Sequence, residues 1–450
     1  MQSTICALAS GQGGAVSLVR LSGPRALDLL KLLSRKDGPF EPRRQTFCPI
    51  YDGENVLDKA LVTYFQAPHS FTGEDVVEFA LHASPYITGR LLELLCENGA
   101  APAKRGEFSQ RAFLNGKMDL VEAQGLCDLI AAGNKSAHRL AMNSLDGKLS
   151  SHLNEMKTKL TQLLAQIEVR LDDVDEEMPP LSAGFIRQEI STVLQHITAL
   201  TNTFSVGRLI KDGLKVAIVG APNSGKSSLL NALVGFDRAI VTDVCGTTRD
   251  TVEETLEING QKIILTDTAG IRSHALDLAE QEGMRRSMRA MQQADVILFV
   301  LDASRTLFTE EKQLWADIEQ AHKRTFIILN KCDKPQAALT AELPHATDYT
   351  QLRVSCKQAL GLEELKSALT AHLSAGQTEG LMLSNLRHYE ALLRAQTELE
   401  SALIRLEHQD GGEIYAEHIR GALTNLKDLL GEVTPDDILG IIFSKFCMGK

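Results

Sequence analysis

The sequence predicts an α+β N-terminal domain, a discontinuous all-α helical domain, and an α/β domain inserted between the two parts of the helical domain. Three patterns support this fold class: short strands mixed with helices over residues 1–118, amphipathic helices over residues 119–210 and 375–450, and alternating strands and helices over residues 211–374. A chain of 450 residues is too long for one hydrophobic core, so several domains are expected.

The N-terminal segment begins with two predicted strands. Ile5–Ala9 and Ala15–Leu21 flank the glycine-rich residues Gly11–Gly14. A hairpin turn is a better interpretation of these glycines than a phosphate-binding loop, because no helix follows them directly. Val76–His82 alternates between apolar and polar residues and predicts a further strand. The whole segment is therefore predicted to be a small α+β domain.

Helical patterns lie on both sides of the predicted insertion. Apolar residues recur at spacings of three and four from Leu153 to Val174 and from Phe185 to Leu200. The same spacing returns in Leu386–Leu406 and Glu413–Leu430 without any new strand. We expect the two helical blocks to pack together, since an inserted domain usually has its termini close to each other.

An acidic cluster, Asp172–Glu177, stands at the end of the first of these helices, where Pro179 and Pro180 stop it. Such a cluster can bind a metal ion. A solvated helix end is the favoured interpretation, because a bound ion would need neutral ligands between the carboxylates.

Composition indicates a cytoplasmic protein. Hydrophobic residues make up 44% and charged residues 23% of the chain, which is ordinary for a soluble protein. No apolar run approaches the roughly 20 residues that span a bilayer, and no signal peptide is recognised. The eight cysteines form no C-x-x-C pair and are read as reduced thiols. The net charge of −11 repels nucleic acid, so such a partner would need a local basic patch.

Residues 220–227 match the pattern G-x-x-x-x-G-K-S. The β-branched run Lys215–Val219 precedes them and helical spacing in Ser228–Val234 follows them, which is the setting of a P-loop. Backbone N–H groups there cradle phosphates, Lys226 neutralises phosphate oxygens and assists catalysis, and Ser227 ligates Mg²⁺. The other loop residues expected at the nucleotide are Asn223, Ser224, Gly225 and Ser228.

Downstream motifs predict which nucleotide is bound. The next motif is Asp267, Thr268, Ala269 and Gly270. Asp267 is expected at the end of a strand, where its carboxylate can hold the Mg²⁺ shell, and Gly270 is expected near the γ-phosphate. Asn330, Lys331 and Asp333 follow a further buried strand, and a carboxylate there accepts hydrogen bonds from N1–H and the 2-amino group of guanine, which adenine lacks. Ser355 belongs to the loop that flanks the base. Four motifs in this order predict a GTPase.

The hydrolytic machinery departs from that of many regulatory GTPases. Ile271 stands where a glutamine often orients the attacking water, so water is positioned from elsewhere or intrinsic hydrolysis is very slow. The loop at residues 242–248, together with Asn223, is able to wrap a monovalent cation that replaces an arginine finger. From the residues alone, Asn223 is equally well read as a variable loop position. Arg249 is a further candidate finger, although a salt bridge is the safer interpretation.

With these motifs in place, four further stretches carry a resemblance: Ser70–Glu78, Gly106–Asn115, Gly246–Asp250 and the terminal Cys447-Met448-Gly449-Lys450. The chain resembles the MnmE (TrmE) family of tRNA-modification GTPases over its whole length. The resemblance implies a folate-binding N-terminal domain that forms a homodimer, a helical domain in two pieces, and GTPase domains that pair in a K⁺-dependent way. It also implies a flavin- and NADH-dependent partner protein. The two proteins together would form a heterotetramer that installs a carboxymethylaminomethyl group on C5 of the wobble uridine of certain tRNAs.

The resemblance also implies ligands for the nucleotide cofactors. The K⁺ ligands would be Asn223 and backbone groups of Thr242, Val244 and Thr247. The Mg²⁺ ligands would be Ser227 and Thr248. The rest of the first switch loop, also expected near GTP, is Asp243, Cys245 and Gly246. The water-positioning glutamate would be Glu280, counted back from Gly283, with Glu282 the weaker candidate.

A folate of the 5-formyltetrahydrofolate type is implied at the N-terminal domain. Its contacts would be Arg20, Glu78, Lys117 and Lys450. The Glu78 carboxylate suits the hydrogen-bond donors of the pterin, and the basic side chains suit the glutamate tail. Considered alone, each of these residues is better interpreted as an ordinary surface charge. His82-Ala83-Ser84 replaces the family's His-Gly-Gly, and the added side chains are expected to narrow this pocket.

Cys447 is predicted to belong to the modification site. The alternative is a buried structural thiol; against it, residues after a terminal helix usually fray, and nothing apolar follows Cys447. Two other functions remain open at this point: an RNA-docking GTPase of the ribosome-assembly kind, and a housekeeping GTPase whose flanking helices only dimerise.

Overall fold

The computed structural model describes residues 3–11, 14–172, 179, 181–236, 253–267, 288–335, 343, 345–374, 380–444, 446 and 449. The chain divides into two compact units. One unit comprises Met1–Ile130, Met142–Leu194 and Ala391–Lys450, and the other comprises Ala131–Ala141 and Gln195–Glu390. The domain boundaries predicted at residues 118, 210 and 374 stay predictions.

The strands in chain order are β1 (Ile5–Leu8), β2 (Val16–Ser22), β3 (Gln45–Asp52), β4 (Asn55–Phe65), β5 (Val76–His82), β6 (Ala101–Pro102), β7 (Leu214–Val219), β8 (Glu253–Ile258), β9 (Gln261–Asp267), β10 (Val296–Asp302), β11 (Arg324–Asn330) and β12 (Thr350–Arg353).

The helices in chain order are α1 (Ala26–Ser34), α2 (Pro85–Glu97), α3 (Glu107–Leu114), α4 (Leu120–Ala131), α5 (Lys135–Leu145), α6 (Lys148–Leu171), α7 (Ala183–Thr201), α8 (Phe204–Asp212), α9 (Lys226–Phe236), α10 (Thr309–Ala321), α11 (Leu362–Ser374), α12 (Leu386–Glu407), α13 (Gly412–Leu430) and α14 (Asp436–Ser444).

The first sheet has the order β3-β4-β5-β2-β1-β6, and its strand pairs are antiparallel except for β1 with β6. Strands β1 and β2 pair directly, which confirms the hairpin predicted around the first glycines. Helices α1 and α2 add Leu30 and Leu91 to a core that includes Val19 and Phe79 from the sheet. Burial of each such side chain stabilises the domain by about 1.5–3 kcal/mol.

Helices α6 and α13 pack against each other although the whole inserted domain separates them in sequence. Their contact is apolar at its centre, where α6 buries Leu153, Leu160 and Ile167. At its margin Arg420 approaches Glu168 at 2.6 Å, and an exposed pair of this kind contributes little to stability. The expectation that the two helical blocks pack together is therefore confirmed.

The second sheet has the order β12-β11-β10-β7-β9-β8, with only β8 antiparallel to its neighbour. Every residue of β10 is buried, as expected for a parallel strand covered on both faces. The carboxyl ends of β7, β9, β10 and β11 meet at one edge of this sheet. Loops at that edge of an open α/β sheet form the binding crevice.

The chain enters and leaves this domain through two segments that lie side by side. The Leu383 N–H donates to Thr203 Oγ1 at 3.0 Å, and the rings of Phe204 and Tyr389 stack with centroids 4.2 Å apart. A Cβ on Gly207 would lie 2.0 Å from the Leu383 carbonyl oxygen, so only glycine allows this approach. The close termini are the geometry that a domain insertion requires.

His388 should make the stability of this junction sensitive to acid. Burial lowers the pKa of His388 to about 3, with Arg387 and Lys211 acting in the same direction. Between about pH 6.5, where an unfolded histidine titrates, and pH 3, the unfolded chain binds one more proton than the folded chain. The free energy of unfolding therefore falls as the pH falls, by about 2 kcal/mol at pH 5.

The measurement is urea denaturation at pH 7, 6 and 5. His388→Gln should flatten the pH dependence of the free energy of unfolding. His408→Gln, at an exposed histidine, is the matched control and should leave that dependence unchanged. Equal pH slopes in wild type and His388→Gln would contradict the assignment.

Candidate nucleotide-binding site

The P-loop joins β7 to α9 and passes very close to its neighbours. Gly220 has φ 155° and Gly225 has φ 105°. A Cβ on Gly220 would lie 2.3 Å from the Val300 carbonyl oxygen, and one on Gly225 would lie 2.0 Å from Nδ2 of Asn330. Gly220 is therefore explained by the close backbone of β10, and Gly225 by its positive φ and by the Asn330 side-chain amide beside it.

The donors expected for a phosphate converge on this loop. Lys226 is buried, and its Nζ donates to the carbonyl oxygens of Gly220 and Ala221 at 2.9 Å each. Ser227 lies in the first turn of α9, whose N-terminus favours an anion. Ser224 Oγ is buried without a hydrogen-bond partner among the described atoms. An ammonium group, a helix N-terminus and a loop that only glycines can form together fit a nucleotide phosphate.

The predicted base-recognition residues contact the P-loop from the end of β11, which is two strands from β7 in the sheet. Asn330 Nδ2 donates to the Ser224 carbonyl at 2.9 Å, and Lys331 Nζ donates to the Asn223 carbonyl at 2.9 Å. Asn223 itself has φ 63° and an exposed side chain. These contacts join motifs that stand about a hundred residues apart in sequence.

The Asp333 carboxylate is held in its ionised form, in which it accepts hydrogen bonds. The Ser355 hydroxyl donates to its Oδ1 at 2.7 Å, and this bond lowers the pKa of Asp333 below its ordinary value. The carboxylate therefore stays ionised and acts only as an acceptor. An acceptor is what the N1–H and 2-amino group of guanine require.

Asp267 ends β9 and pairs with Ile218 of β7, which places it at the same sheet edge. Other predicted nucleotide and water contacts lie outside the described residues. They are Thr242, Asp243, Val244, Cys245, Gly246, Thr247, Thr248, Thr268, Ala269, Gly270 and Glu280, and the alternatives Arg249 and Glu282 lie there too.

Sequence reasoning did not single out Asp302. It ends β10, and its Oδ2 accepts a hydrogen bond from Lys331 Nζ at 2.6 Å. Burial raises its pKa, but hydrogen bonds from Lys331 and Ser304 outweigh this and hold the pKa at about 2. The sequence feature that could have identified Asp302 is a carboxylate directly after an entirely apolar run of strand residues.

A second cluster lies in the N-terminal domain. Arg20 and Glu78 are opposite each other in the β2–β5 register, and Arg20 Nε and Nη2 lie 2.9 and 2.8 Å from Glu78 Oε1. The guanidinium is 5.5 Å from the ring centroid of Phe71 and 5.7 Å from that of Phe108. Two of the four predicted folate residues therefore lie together, with the Arg20 guanidinium close to two aromatic rings.

The C-terminal tail reaches the same cluster. Arg20 Nη1 donates to the Gly449 carbonyl at 3.2 Å, and a Cβ on Gly449 would lie 2.2 Å from the Leu8 carbonyl oxygen. Phe446 is buried against Phe443. The expectation that residues after the last helix fray is wrong for Gly449, because the Arg20 hydrogen bond and close packing against Leu8 hold it. Cys447 and Lys450 themselves are not among the described residues.

The other predicted N-terminal residues are more exposed. Lys117 follows α3, and its Cγ and Cδ would lie 3.3 and 3.4 Å from a Cβ on Gly73. His82 is exposed, and its Nδ1 lies 2.8 Å from Oδ1 of Asp58, whose side chain is largely buried. Ser84 stands directly before α2 as its N-cap. The departure from His-Gly-Gly thus lies at a junction of strand and helix.

The glycine-rich loop, the base-recognition residues and the doubly covered parallel sheet define a P-loop GTPase domain within a larger chain. The comparisons extend this to the whole sequence. A profile for the GTP-binding protein TrmE N-terminus matches residues 4–117, and one for the MnmE helical domain matches residues 120–447.

Curated relatives are similar from end to end. The tRNA modification GTPase MnmE of Acinetobacter baumannii is 42% identical over 100% of this chain and 99% of its own length. That of Aquifex aeolicus is 40% identical over 100% of both chains. A solved structure of Aquifex aeolicus Era is 28% identical over 41% of this chain and 65% of its own, with a TM-score of 0.27, which is too low to bear on the argument.

The chain therefore belongs to the MnmE/TrmE family of tRNA modification GTPases. This confirms the predicted family, fold class and enzyme class, which is a hydrolase converting GTP to GDP and phosphate. Within the described part of the chain, no helix is both long and apolar enough to cross a bilayer.

Proposed function

We propose that this protein is a K⁺-activated GTPase that modifies C5 of the wobble uridine of certain tRNAs in the cytoplasm. It does so as a homodimer joined by a flavin- and NADH-dependent partner protein, and the product carries a carboxymethylaminomethyl group. The observation that carries the proposal is the end-to-end similarity to relatives named tRNA modification GTPase. An RNA-docking GTPase would leave the N-terminal cluster and its bound tail without a role.

In this proposal GTP lies on the P-loop. Lys226 and the first turn of α9 hold the phosphates, Ser227 and Thr248 hold Mg²⁺, and Asp333 selects guanine. Mg²⁺ usually takes only a few protein oxygens besides water and phosphate, which fits a serine at a helix N-terminus. When bound, the metal neutralises charge on the phosphates during transfer.

A monovalent cation supplies the charge that an arginine finger supplies elsewhere. Asn223 is the described member of its ligand set, and its exposed side chain at φ 63° stands on the phosphate loop. Backbone groups of Thr242, Val244 and Thr247 complete the set in the proposal. Ile271 offers no amide to orient water, so the cation and a remote glutamate share that task.

Hydrolysis should depend on K⁺. Replacing K⁺ by Na⁺ at constant ionic strength should slow turnover by one to several orders of magnitude, the scale associated with arginine fingers. Phosphate release measured in the two salts is the assay, with GDP affinity in both salts as the control. Equal turnover in K⁺ and Na⁺ would remove the cation mechanism.

Glu280 should orient the attacking water, directly or through a second water. Glu280→Ala should lower kcat and leave GTP affinity nearly unchanged, because the ground-state phosphate contacts come from the P-loop. Single-turnover kinetics separate the two effects, and Glu282→Ala is the matched control. If Glu282→Ala has this phenotype and Glu280→Ala does not, the assignment belongs to Glu282.

A folate of the 5-formyltetrahydrofolate type is proposed at the N-terminal cluster. Arg20 and Glu78 are only partly exposed, with side-chain exposures of 16% and 22%, and they lie beside Phe71 and Phe108. Such a mixture of aromatic faces and charge suits a pterin with an acidic tail. Lys117 and Lys450 are proposed as the remaining contacts.

The protein should be a constitutive homodimer through residues 1–118. These residues carry 13 basic and 12 acidic side chains, so charge opposes self-association little. Phe47 and Leu61 face each other across β3 and β4 and are 65% and 43% exposed, which is an apolar surface that a partner copy can cover. Light scattering at micromolar concentration without nucleotide should give the dimer mass, and a monomer would count against the proposal.

Cys447 should be required for modification but not for hydrolysis. Of the described residues on either side of it, Gly449 is held at the N-terminal cluster by Arg20, and Phe446 is buried in an apolar cluster with Leu439 and Phe443. The Gly449 contact brings the tail to the proposed folate. Cys447→Ser should abolish wobble-uridine modification in cells, measured by mass analysis of tRNA nucleosides, while GTP hydrolysis and dimerisation stay intact. Modification at the wild-type rate would leave the cysteine a structural role only.

A further inference from the structure

Asp302 lies where β10 ends, and the proposed function gives it no task. It is 8% exposed, and both of its carboxylate oxygens are engaged. Oδ1 accepts from the Ser304 N–H at 3.0 Å and from the Ser304 hydroxyl at 2.6 Å, while Oδ2 accepts from Lys331 Nζ at 2.6 Å. The carboxylate is thus held in one orientation, with one oxygen directed at the lysine.

Lys331 in turn connects two loops of the nucleotide site. Its backbone belongs to the base-recognition motif, whereas its Nζ donates to the Asn223 carbonyl of the P-loop. Lys331 has φ 62° and Asn223 has φ 63°. Left-handed backbone at residues other than glycine is costly and persists only where surrounding contacts impose it. The Lys331 ammonium group therefore links two residues that both have left-handed backbone, Lys331 itself and Asn223.

We propose that Asp302 is a positioning residue for guanine-nucleotide binding, which fixes the Lys331 ammonium so that the base-recognition loop and the P-loop adopt their binding conformations together. The carboxylate stays ionised at every working pH, because its pKa is held near 2. A long, flexible lysine loses rotamer freedom when it spans two loops. Because the fixed Asp302 carboxylate already restrains Lys331 before the nucleotide binds, less side-chain entropy is lost on binding.

A neighbouring ion pair offers the control. Arg305 and Glu311 form two hydrogen bonds of 2.9 and 2.8 Å, and Glu311 is fully buried. Arg305 precedes α10 and Glu311 lies in its first turn, and among the described contacts neither hydrogen-bonds to the P-loop or the base-recognition loop, although the charge of Asp302 also acts on Arg305. Loss of this pair should cost stability without affecting the nucleotide specifically.

The experiment measures the dissociation constant of fluorescent GDP in Na⁺ buffer with Mg²⁺, so that failure of the proposed K⁺ site does not affect the result. Asp302→Asn retains shape and loses charge, and it should weaken GDP binding about tenfold, the scale of one charged hydrogen bond. Lys331→Met should weaken binding by at least as much. In the Lys331→Met background, Asp302→Asn should add less than twofold, because its effect passes through that lysine.

Glu311→Gln should lower the unfolding midpoint and leave GDP affinity within twofold of wild type. Ser304→Ala is a milder change that removes one hydrogen-bond donor to Asp302, and it should weaken GDP binding two- to threefold. It tests the positioning role of Asp302 if the Asp302 variants do not fold. Three results would overturn the proposal: wild-type GDP affinity in Asp302→Asn or, failing that, in Ser304→Ala; full additivity with Lys331→Met; or an equal loss of affinity in Glu311→Gln.

Discussion

The close approach of the P-loop backbone to strands β10 and β11 is the constraint on which the nucleotide site depends. At Gly220 and Gly225 the space for a side chain is already filled by the Val300 carbonyl and the Asn330 amide. Because the loop lies so near these strands, short polar side chains at their ends reach it. The same tight packing therefore shapes the phosphate cradle and lets the base-recognition motif hold it.

The insertion of one domain into another imposes a second constraint. Helices α6 and α13 pack against each other, yet the whole GTPase domain lies between them in the sequence. The paired segments at Thr203 and Leu383 allow this, since they return the chain to the point at which it left. Contacts of such large sequence separation slow folding, so the helical domain is expected to form late.

The N-terminal domain and the end of the chain form one local structure. The Arg20–Glu78 pair is set by strand register, and the Gly449 carbonyl joins it from the far end of the sequence. A charged pair beside aromatic rings would be costly in a closed core, where unsatisfied hydrogen-bonding positions are penalised. Its partial exposure keeps these positions accessible to a ligand.

Local patterns in the sequence determined the elements and the nucleotide motifs. Helical spacing predicted α6 and α13, a β-branched run predicted β7, and the P-loop residues were correctly placed because one backbone geometry demands them in a fixed order. Only the tertiary structure decided that Asp302 pairs with Lys331 and that Gly449 meets Arg20. Those contacts join residues 29 and 429 positions apart, and they depend on strand order and close packing, which no periodicity within a short stretch encodes.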